Sequence, residues 1–528
     1  MNLIKSPWIP IRRQSGSEEQ IAPWQLTETD DPVIALAAPR PDFNGALLQF
    51  LIGLMQTACP PECGEEWGDW LVNPPLPETL KQCFESVADY FNLAGDGPLF
   101  MQAFEPLKGD EKPIANLLID APGTQTRKQN ADHFIKRGST EQLCPSCAAT
   151  ALFTLQTNAP GGGAGHRTSL RGGGPLSTLV ALDPAGSQLD NTLWRTCWLN
   201  VLEKITFDRL ADGNLIKPET TFPWLTSTRT SEAKTGKVTT PLDSHPLQMY
   251  WGMPRRIRLN WSTTEDSHCG LCNRPAAQQV SHYITQNYGV NYTGAWIHPL
   301  SPHATNQAGE LLPQHAQPGG LSYRHWLGLV SEQVNRQSAR VVSTFLSGNR
   351  KLPQEQFRLH TFGYDMDNMK ARCWYEATFP LYPLGESIRE QFTFRTKQLI
   401  EAATDTAGVT RRCIKEAWFK RPGDAKGDTA FLIESFFSHT ESDFYTSLKQ
   451  LKEQLDKGED GKALLELWHG SLKKASLALF DHWTCRGDFA TVNPRRIAQA
   501  YRKLNNWLHG KKLRTTILGL PNKKEKAA

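Results

Sequence analysis

Two pairs of closely spaced cysteines are the residues of this sequence best suited to chemistry. Cys144 and Cys147 form one C-x-x-C turn, and Cys269 and Cys272 form the other. Each turn can present two sulfurs to one ion, and four thiolates complete the tetrahedral shell of a structural zinc site. Two alternative interpretations remain open, because 121 residues separate the two turns. One C-x-x-C turn could be a redox pair, or the two pairs of cysteines could be unrelated. We predict one structural zinc ion bound by all four residues.

A glycine-rich stretch is the second candidate site. It lacks the Gly-Lys-Ser/Thr ending of a Walker loop and the spacing of the dinucleotide-binding fingerprint. Glycine allows a backbone to approach a ligand closely, and the neighbouring arginines are suited to phosphate. A flexible loop explains the composition equally well. The residues concerned are Gly161, Gly162, Gly163, Ala164, Gly165, Arg167 and Arg171.

Residues 126–138 mix four basic side chains with Asn130 and an aromatic ring. This composition suits contacts to phosphates and base edges, although solvated loops often share it. Asp132-His133, the cysteine turns and His298 could instead form a zinc-braced, metal-dependent nuclease, which is the alternative function. No second His or Asn follows Asp132-His133 at a spacing that would hold a catalytic metal. His298 and His303 are therefore predicted to be structural.

Composition and charge narrow the class of protein. The chain has 528 residues, 39% of them hydrophobic, and a net charge of +4, so any nucleic-acid surface must be a local patch. No signal-peptide pattern and no apolar run of about 18 residues is present, which predicts no membrane segment. Eleven mostly isolated cysteines indicate a reduced, cytoplasmic protein. The sequence contains no nucleophile elbow, H-E-x-x-H motif or carboxylate pair, so we do not expect an enzyme.

The periodicity predicts an α+β protein with a large mixed N-terminal domain over 1–380 and a C-terminal four-helix bundle over 385–515. In the first domain, helices are expected over 43–55, 78–91 and 147–157, with strand-like pieces over 357–379. The bundle has four amphipathic segments, and Asn493 is the expected N-cap of the last. Residues 516–528 are expected to form a basic, flexible tail. The four segments lie near 386–419, 428–456, 462–484 and 493–509.

The order of these motifs resembles the large subunit of the type I-E CRISPR Cascade complex, the CasA family. The resemblance covers nearly the whole chain, and its pieces are specific as an ordered set. They are Met1-Asn2-Leu3, Trp8-Ile9-Pro10, the first cysteine turn, Ala151-Leu152-Phe153, Ala159-Pro160-Gly161, Leu170-Arg171-Gly172-Gly173, the second cysteine turn, Trp296-Ile297-His298-Pro299, Ser301-Pro302 and Gly363-Tyr364.

The resemblance implies a non-catalytic subunit of a crRNA-guided antiviral ribonucleoprotein complex. Its partners would be the crRNA-bearing Cascade subunits, target double-stranded DNA and a recruited helicase-nuclease. The subunit would recognise the PAM, help to open the duplex for R-loop formation and provide a docking surface for the helicase-nuclease. In such complexes the guide supplies sequence specificity by base pairing.

The resemblance also implies which residues contact the PAM duplex. They are the loop Phe134, Ile135 and Lys136, the glycine loop Gly161–Gly165, and the segment near Gln286 and Asn287. A strand-separating wedge would fall in residues 365–370, with Asn368 at its tip beside Lys370. This chain departs from the family pattern because Ala164 replaces a glycine, the segment near Asn287 has no lysine, and the wedge has no glutamine.

Overall fold

The computed structural model describes residues 1–130, 132, 137–163, 165–211, 217–232, 234, 236–263, 267–347, 352, 355–367, 369–424, 427–484 and 493–521. The chain divides into two compact units. The first comprises 1–317 and 332–381, and the second comprises 318–331 and 382–528. Helices and small sheets both occur, so the predicted mixed α+β class is confirmed.

The strands lie in the first unit. They are β1 (Ile9–Arg13), β2 (Glu18–Ile21), β3 (Val33–Leu36), β4 (Asp110–Pro113), β5 (Ser177–Leu182), β6 (Val238–Thr239), β7 (Arg256–Thr263), β8 (Gln278–Gln286), β9 (Asn291–Tyr292), β10 (His303–Thr305), β11 (Leu311–Pro313), β12 (Arg336–Gln337), β13 (Phe357–Asp367) and β14 (Lys370–Leu381). They form three-stranded antiparallel sheets in the orders β2-β1-β3, β4-β8-β7, β14-β13-β5 and β11-β10-β12, and one short parallel pair, β6-β9.

The α-helices are distributed over both units. They are α1 (Pro41–Ala58), α2 (Gly64–Val72), α3 (Pro77–Glu85), α4 (Thr124–Lys128), α5 (Pro145–Asn158), α6 (Leu193–Trp198), α7 (Lys204–Ala211), α8 (Pro218–Thr221), α9 (Trp326–Val330), α10 (Arg340–Ser347), α11 (Glu386–Trp418), α12 (Ala430–Asp456), α13 (Lys462–Thr484) and α14 (Pro494–Leu508). No helix in the described ranges is both long enough and apolar enough to cross a bilayer.

The core of the first unit is an aromatic cluster centred on Phe50 of α1. Its ring lies edge-on to the rings of Trp8, Phe153 and Trp251 at centroid distances of 5.2, 5.7 and 5.8 Å. Edge-to-face packing of this kind adds to the stabilisation from burial. Because Phe153 lies on α5, the cluster fixes α5 against α1 and thereby holds Cys147 at the beginning of α5.

The predicted helix over 78–91 is wrong in its second half. Helix α3 ends at Glu85, and only a short 3-10 turn follows at Ala88–Tyr90. The Ser86 hydroxyl donates to the Cys83 carbonyl oxygen at 2.7 Å. A serine side chain that bonds to nearby backbone competes with helix continuation, which accounts for the break.

Four long helices, α11 to α14, make up most of the second unit, and α11 packs against each of the other three. The Asn493 side chain caps α14 by accepting from the backbone N–H of Arg496 at 3.0 Å. Residues 318–331 also belong to this unit. Tyr323 stacks on Phe444 with a centroid distance of 4.2 Å, and its hydroxyl lies 2.7 Å from the Thr440 hydroxyl.

The predicted flexible tail begins too early. A π-helical turn spans Lys512–Ile517, and both Ile517 and Leu518 are buried. The buried guanidinium of Arg514 donates to the Glu466 carboxylate at 3.0 and 3.1 Å. These apolar and ionic contacts order the segment as far as Pro521, and residues 522–528 lie outside the described ranges.

Candidate metal centre and nucleic-acid interface

The four cysteines of the two C-x-x-C turns converge in space. Their sulfur atoms all lie within 4.8 Å of one another, and those of Cys144 and Cys272 are 3.7 Å apart. Cys144, Cys147 and Cys269 are buried, and Cys272 is partly exposed. Among the described residues, this is the cluster of His, Cys, Asp and Glu side chains with a spacing suitable for a metal ion.

Backbone contacts hold the two turns together. Cys144 is the N-cap of α5, and its sulfur accepts from the backbone N–H of Cys147 at 3.4 Å. The N–H of Gly270 donates to the Gln142 carbonyl oxygen at 2.9 Å, while Leu143 and Val280 exchange two backbone hydrogen bonds. A Cβ at Gly270 would lie 3.1 Å from the Thr140 Cα, so this close approach favours glycine.

The spacing fits a tetrahedral thiolate site and not a disulfide. A metal–sulfur distance of about 2.3 Å places tetrahedral ligands roughly 3.8 Å apart, which agrees with the 3.7 Å between Cys144 and Cys272. A disulfide requires about 2.05 Å between sulfurs. Four protein sulfurs leave no open coordination position, so an ion bound here would be structural. The prediction that these four residues come together is confirmed.

The glycine loop forms a tight, exposed turn. The N–H of Gly162 donates to the His166 carbonyl oxygen at 2.9 Å, and the N–H of His166 donates to the Gly163 carbonyl oxygen at 2.8 Å. Gly163 and Gly165 have φ angles of +62° and +82°, a region that favours glycine. A Cβ at Gly163 would meet no atom of the described residues within 4 Å. The backbone at Gly163 is therefore accessible to a ligand.

The glycine loop is anchored to the segment that follows β8. The N–H of Tyr288 donates to the Gly165 carbonyl oxygen at 2.9 Å, and the Asn287 carbonyl oxygen accepts from Arg256 at 3.3 Å. Two segments that the resemblance assigns to one duplex thus lie side by side. Tyr288 itself was not predicted. It is 39% exposed and has a φ of +62°, which is unusual for a bulky residue.

Arg255 is a second residue that sequence reasoning missed. Its guanidinium donates to the Pro160 carbonyl oxygen and lies 2.9 Å from the position of a Cβ at Gly162. Arg255 therefore braces the base of the glycine loop from the N-terminal side of β7. The Met-Pro-Arg-Arg sequence at the beginning of β7 carries no signal for this contact. The turn-forming sequence Asn287-Tyr288-Gly289, by contrast, could have indicated the tyrosine.

The two arginines assigned to phosphate contacts have different environments. Arg167 donates to the Ser231 hydroxyl at 2.7 Å and to the Ser231 carbonyl oxygen at 3.1 Å, so part of its guanidinium braces the loop. Arg171 is only 4% exposed. Its guanidinium donates to Gln49, Ser177 and Ser301. The assignment of Arg171 to flanking phosphates is corrected, because a buried guanidinium cannot reach DNA.

The second glycine run, Gly172–Gly174, serves packing. A Cβ at Gly173 would lie 2.8 Å from the Pro160 Cα, and one at Gly174 would lie 2.8 Å from the Tyr364 carbonyl oxygen. Only glycine permits such close approach between chain segments. This run therefore positions the glycine loop relative to β13 and is not itself an exposed binding surface.

The loop before the first cysteine turn is described in part. Arg137 donates to both carboxylate oxygens of Asp132, at 2.6 and 2.7 Å, and to the side-chain oxygen of exposed Asn130 at 3.1 Å. Bidentate pairing with Arg137 engages the carboxylate that a nuclease would need for a metal ion. His133, Phe134, Ile135, Lys136, Ala164 and Asn368 lie outside the described residues.

The predicted wedge falls at the tip of the β13–β14 hairpin. Asp367 pairs with Lys370 in the strand register, and Lys370 and Met369 are exposed. Asp365, which is buried, accepts from Arg372 at 2.7 and 3.0 Å. This pair stiffens the hairpin next to its tip, so exposed side chains are presented at the end of a long two-stranded ribbon.

His298 and His303 are buried, as expected of structural residues. Burial, with a smaller contribution from Arg171, holds the pKa of His298 well below its usual range. Burial lowers the pKa of His303 to about 4. Both rings are therefore neutral near pH 7, and the Nδ1 of His298 accepts from the backbone N–H of Leu300 at 3.1 Å.

Comparisons with known proteins agree on one family. The family model described as CRISPR-associated protein Cse1 matches residues 2–479. The chain is similar to Thermobifida fusca Cse1, with a TM-score of 0.69, 15% identity, and coverage of 98% of both chains. It is also similar to Thermus thermophilus CasA, with a TM-score of 0.64, 17% identity, and coverage of 96% of this chain and 99% of that one.

A chain of a solved CRISPR RNA-guided surveillance complex is similar as well. Its TM-score is 0.63 at 14% identity, and the match covers 97% of this chain and 99% of that chain. At these identities the solved structures establish a shared fold.

Proposed function

The chain belongs to the Cse1 family of CRISPR-associated proteins, and from this premise we propose that it is the non-catalytic large subunit of a type I-E Cascade complex. In this role it binds target double-stranded DNA, recognises the PAM and helps to open the duplex. Its partners are the crRNA-bearing subunits and the recruited helicase-nuclease. The fold shared with a chain of an RNA-guided surveillance complex supports the proposal.

The observation that carries PAM recognition is the exposed backbone of the glycine loop. A Cβ at Gly163 would meet no described atom within 4 Å. The loop is anchored by hydrogen bonds from the Tyr288 N–H to Gly165 and from Arg255 to Pro160. A minor groove about 6 Å wide admits a bare backbone more readily than a side chain, and its hydrogen-bond code is degenerate. The loop therefore reads a short PAM permissively, together with Asn287, Asn130 and the loop Phe134–Lys136.

The hairpin tip acts after PAM binding. Lys370 and Met369 are exposed at the end of the β13–β14 ribbon, and Asn368 lies between the strands in sequence. A rigid ribbon that ends in polar and flexible side chains can enter between base pairs once the duplex is held. We assign strand separation to Asn368 and Lys370.

Zinc is the metal that we assign to the four cysteines. Four thiolates at tetrahedral spacing favour zinc among abundant ions. The ion would join residues 144–147 to residues 269–272. It would thereby stabilise the loops on either side of the first cysteine turn. We further propose that α11 to α14 act as a four-helix bundle that contacts neighbouring subunits.

The alternative, a zinc-braced nuclease, has less support. Both oxygens of Asp132 are engaged by Arg137, and within the described ranges the cysteine cluster is the metal-binding group with suitable spacing. Magnesium-dependent DNA cleavage that survives stringent purification and is lost in Asp132→Asn would favour the nuclease.

The function is tested by Gly163→Phe in the assembled complex. A Cβ at Gly163 would meet no described atom within 4 Å, and its φ of +62° strains any side chain placed there, so the control must carry the same strain. Gly16→Phe is the matched control, because Gly16 has a φ of +91° and equally open surroundings in the β1–β2 hairpin. We expect Gly163→Phe to weaken binding to PAM-containing duplexes at least tenfold, a loss that Gly16→Phe does not show. Unchanged PAM discrimination in Gly163→Phe would contradict the assignment of the loop.

A further inference from the structure

Arg171 is a buried cation without a carboxylate partner among the described residues. Its three acceptors are neutral: Gln49, Ser177 and Ser301. Burial lowers the pKa of Arg171 to about 9, and no acidic residue of the described ranges offsets that effect. Burying a charge costs folding free energy unless the charge is paired. A negative charge beside Arg171 would therefore stabilise the folded state.

The titratable neighbours of Arg171 supply no negative charge. His298, His303 and His315 are close enough for Arg171 to lower the pKa of each, after the larger effect of burial. Burial also raises the pKa of Tyr250 far above its usual range, so the phenol stays protonated. The surroundings of the guanidinium are therefore neutral, and its positive charge remains.

A small cavity adjoins this guanidinium. Its volume is about 20 Å³, and Arg171, Tyr250, His298, Gln49 and Phe153 contribute to its lining. The Tyr250 side chain is buried, and its hydroxyl has no hydrogen-bond partner in the part of the chain that the structure describes. About 10–15 Å³ is the minimum space for one water molecule, so the cavity suits a single atom or ion of that scale.

The donors at the cavity select the charge of its occupant. Arg171 can only donate hydrogen bonds, and a protonated phenol donates its hydrogen to a partner. Both polar atoms of the Gln49 side chain already form hydrogen bonds. Its oxygen accepts from Arg171, and its nitrogen donates to the Gly45 carbonyl oxygen. A site with free donors and a net positive charge repels cations and favours anions.

We propose that this cavity binds one small inorganic anion of halide size, such as chloride, between the Arg171 guanidinium and the Tyr250 hydroxyl. A halide accepts hydrogen bonds from both groups and neutralises the buried charge. The site is separate from the proposed DNA contacts and acts as an internal anion-dependent stabiliser of the first unit.

The full-length chain tests this proposal with bromide and chloride as probes. Crystals soaked in bromide should show an anomalous peak within hydrogen-bond distance of the Arg171 guanidinium and the Tyr250 hydroxyl. The melting temperature should rise saturably when gluconate is replaced by chloride at constant ionic strength, because a ligand that binds the folded state stabilises it.

Tyr250→Phe separates an anion from an empty or water-filled cavity. With an anion bound, loss of the donor should raise the apparent chloride dissociation constant about tenfold. With an empty cavity, removing an unpartnered hydroxyl should leave stability unchanged or increased. Arg195→Gln is the matched control, because Arg195 is a buried arginine that donates to the carbonyl oxygens of Leu71, Val72 and Asp190. It should lose stability while keeping the chloride response.

A water molecule in place of the bromide peak, or a chloride response that Tyr250→Phe retains in full, would overturn the proposal.

Discussion

Changing Cys272 to serine should release the metal ion and loosen the first unit. The ion would close a chain loop of 121 residues between the two cysteine turns. For a cross-link over a loop of that length, the chain-entropy relation gives about 5 kcal/mol. The backbone hydrogen bonds from Gly270 to Gln142 and between Leu143 and Val280 also join these segments, so the cross-link itself contributes less than this figure. Against a typical stability of about 5–15 kcal/mol, the loss is large.

The assay combines metal content with unfolding. Wild-type protein should contain one zinc per chain by elemental analysis, and a strong chelator should lower its midpoint of urea unfolding. Cys272→Ser should contain little zinc and should not respond to chelator. Cys63→Ser, at an exposed cysteine outside the cluster, is the matched control and should keep both zinc and stability. Wild-type protein that is free of zinc after expression in zinc-replete medium, or whose unfolding midpoint does not change with chelator, would contradict the assignment of zinc to the four cysteines.

Three further changes test the packing around the site and in the second unit. Gly165→Ala should lower the free energy of unfolding by about 1–2 kcal/mol in urea titrations. The reason is that a Cβ there would lie 2.8 Å from the backbone nitrogen of Tyr288, at a φ of +82°. An unchanged free energy of unfolding would mean that the loop accommodates the methyl group without strain. His303 has a folded pKa of about 4, below the unfolded value of about 6.5. The stability that the neutral, buried ring contributes is therefore complete above pH 6.5 and is lost as pH falls toward 4. That loss amounts to about 3 kcal/mol, and an equal pH dependence in His303→Gln would contradict it. Tyr323→Phe should cost about 1 kcal/mol in urea unfolding, because its hydroxyl pairs with Thr440 inside the second unit; an unchanged midpoint would mean that this bond contributes nothing.

Local patterns allowed much of the secondary structure to be predicted. The four C-terminal helices begin and end within two residues of the predicted bounds, because apolar periodicity and the cap at Asn493 are local signals. The convergence of the cysteines was also predictable, since the chemistry of four thiolates implies it. Residues 318–331 were not assigned to the second unit, because Tyr323 reaches that core by tertiary contacts that leave no periodic pattern.

The site was harder to predict at the level of single side chains. From its residue type, Arg171 could bind phosphate. Only its burial and its hydrogen bonds to Gln49, Ser177 and Ser301 show that it does not face DNA. The contact of Tyr288 with the glycine loop was missed because it is a hydrogen bond to Gly165, a residue more than 120 positions away. Sequence types indicate which chemistry is available, whereas burial and long-range contacts determine which side chains can use it.

PAM recognition by this chain is tested by comparing the surveillance complex assembled with and without it. Binding is measured on matched duplexes that share the target sequence and differ only in a permissive or a forbidden PAM. With the chain present, the permissive duplex should bind far more tightly. Without it, the two duplexes should bind equally weakly, and PAM discrimination that persists in its absence would contradict the proposed role of the chain.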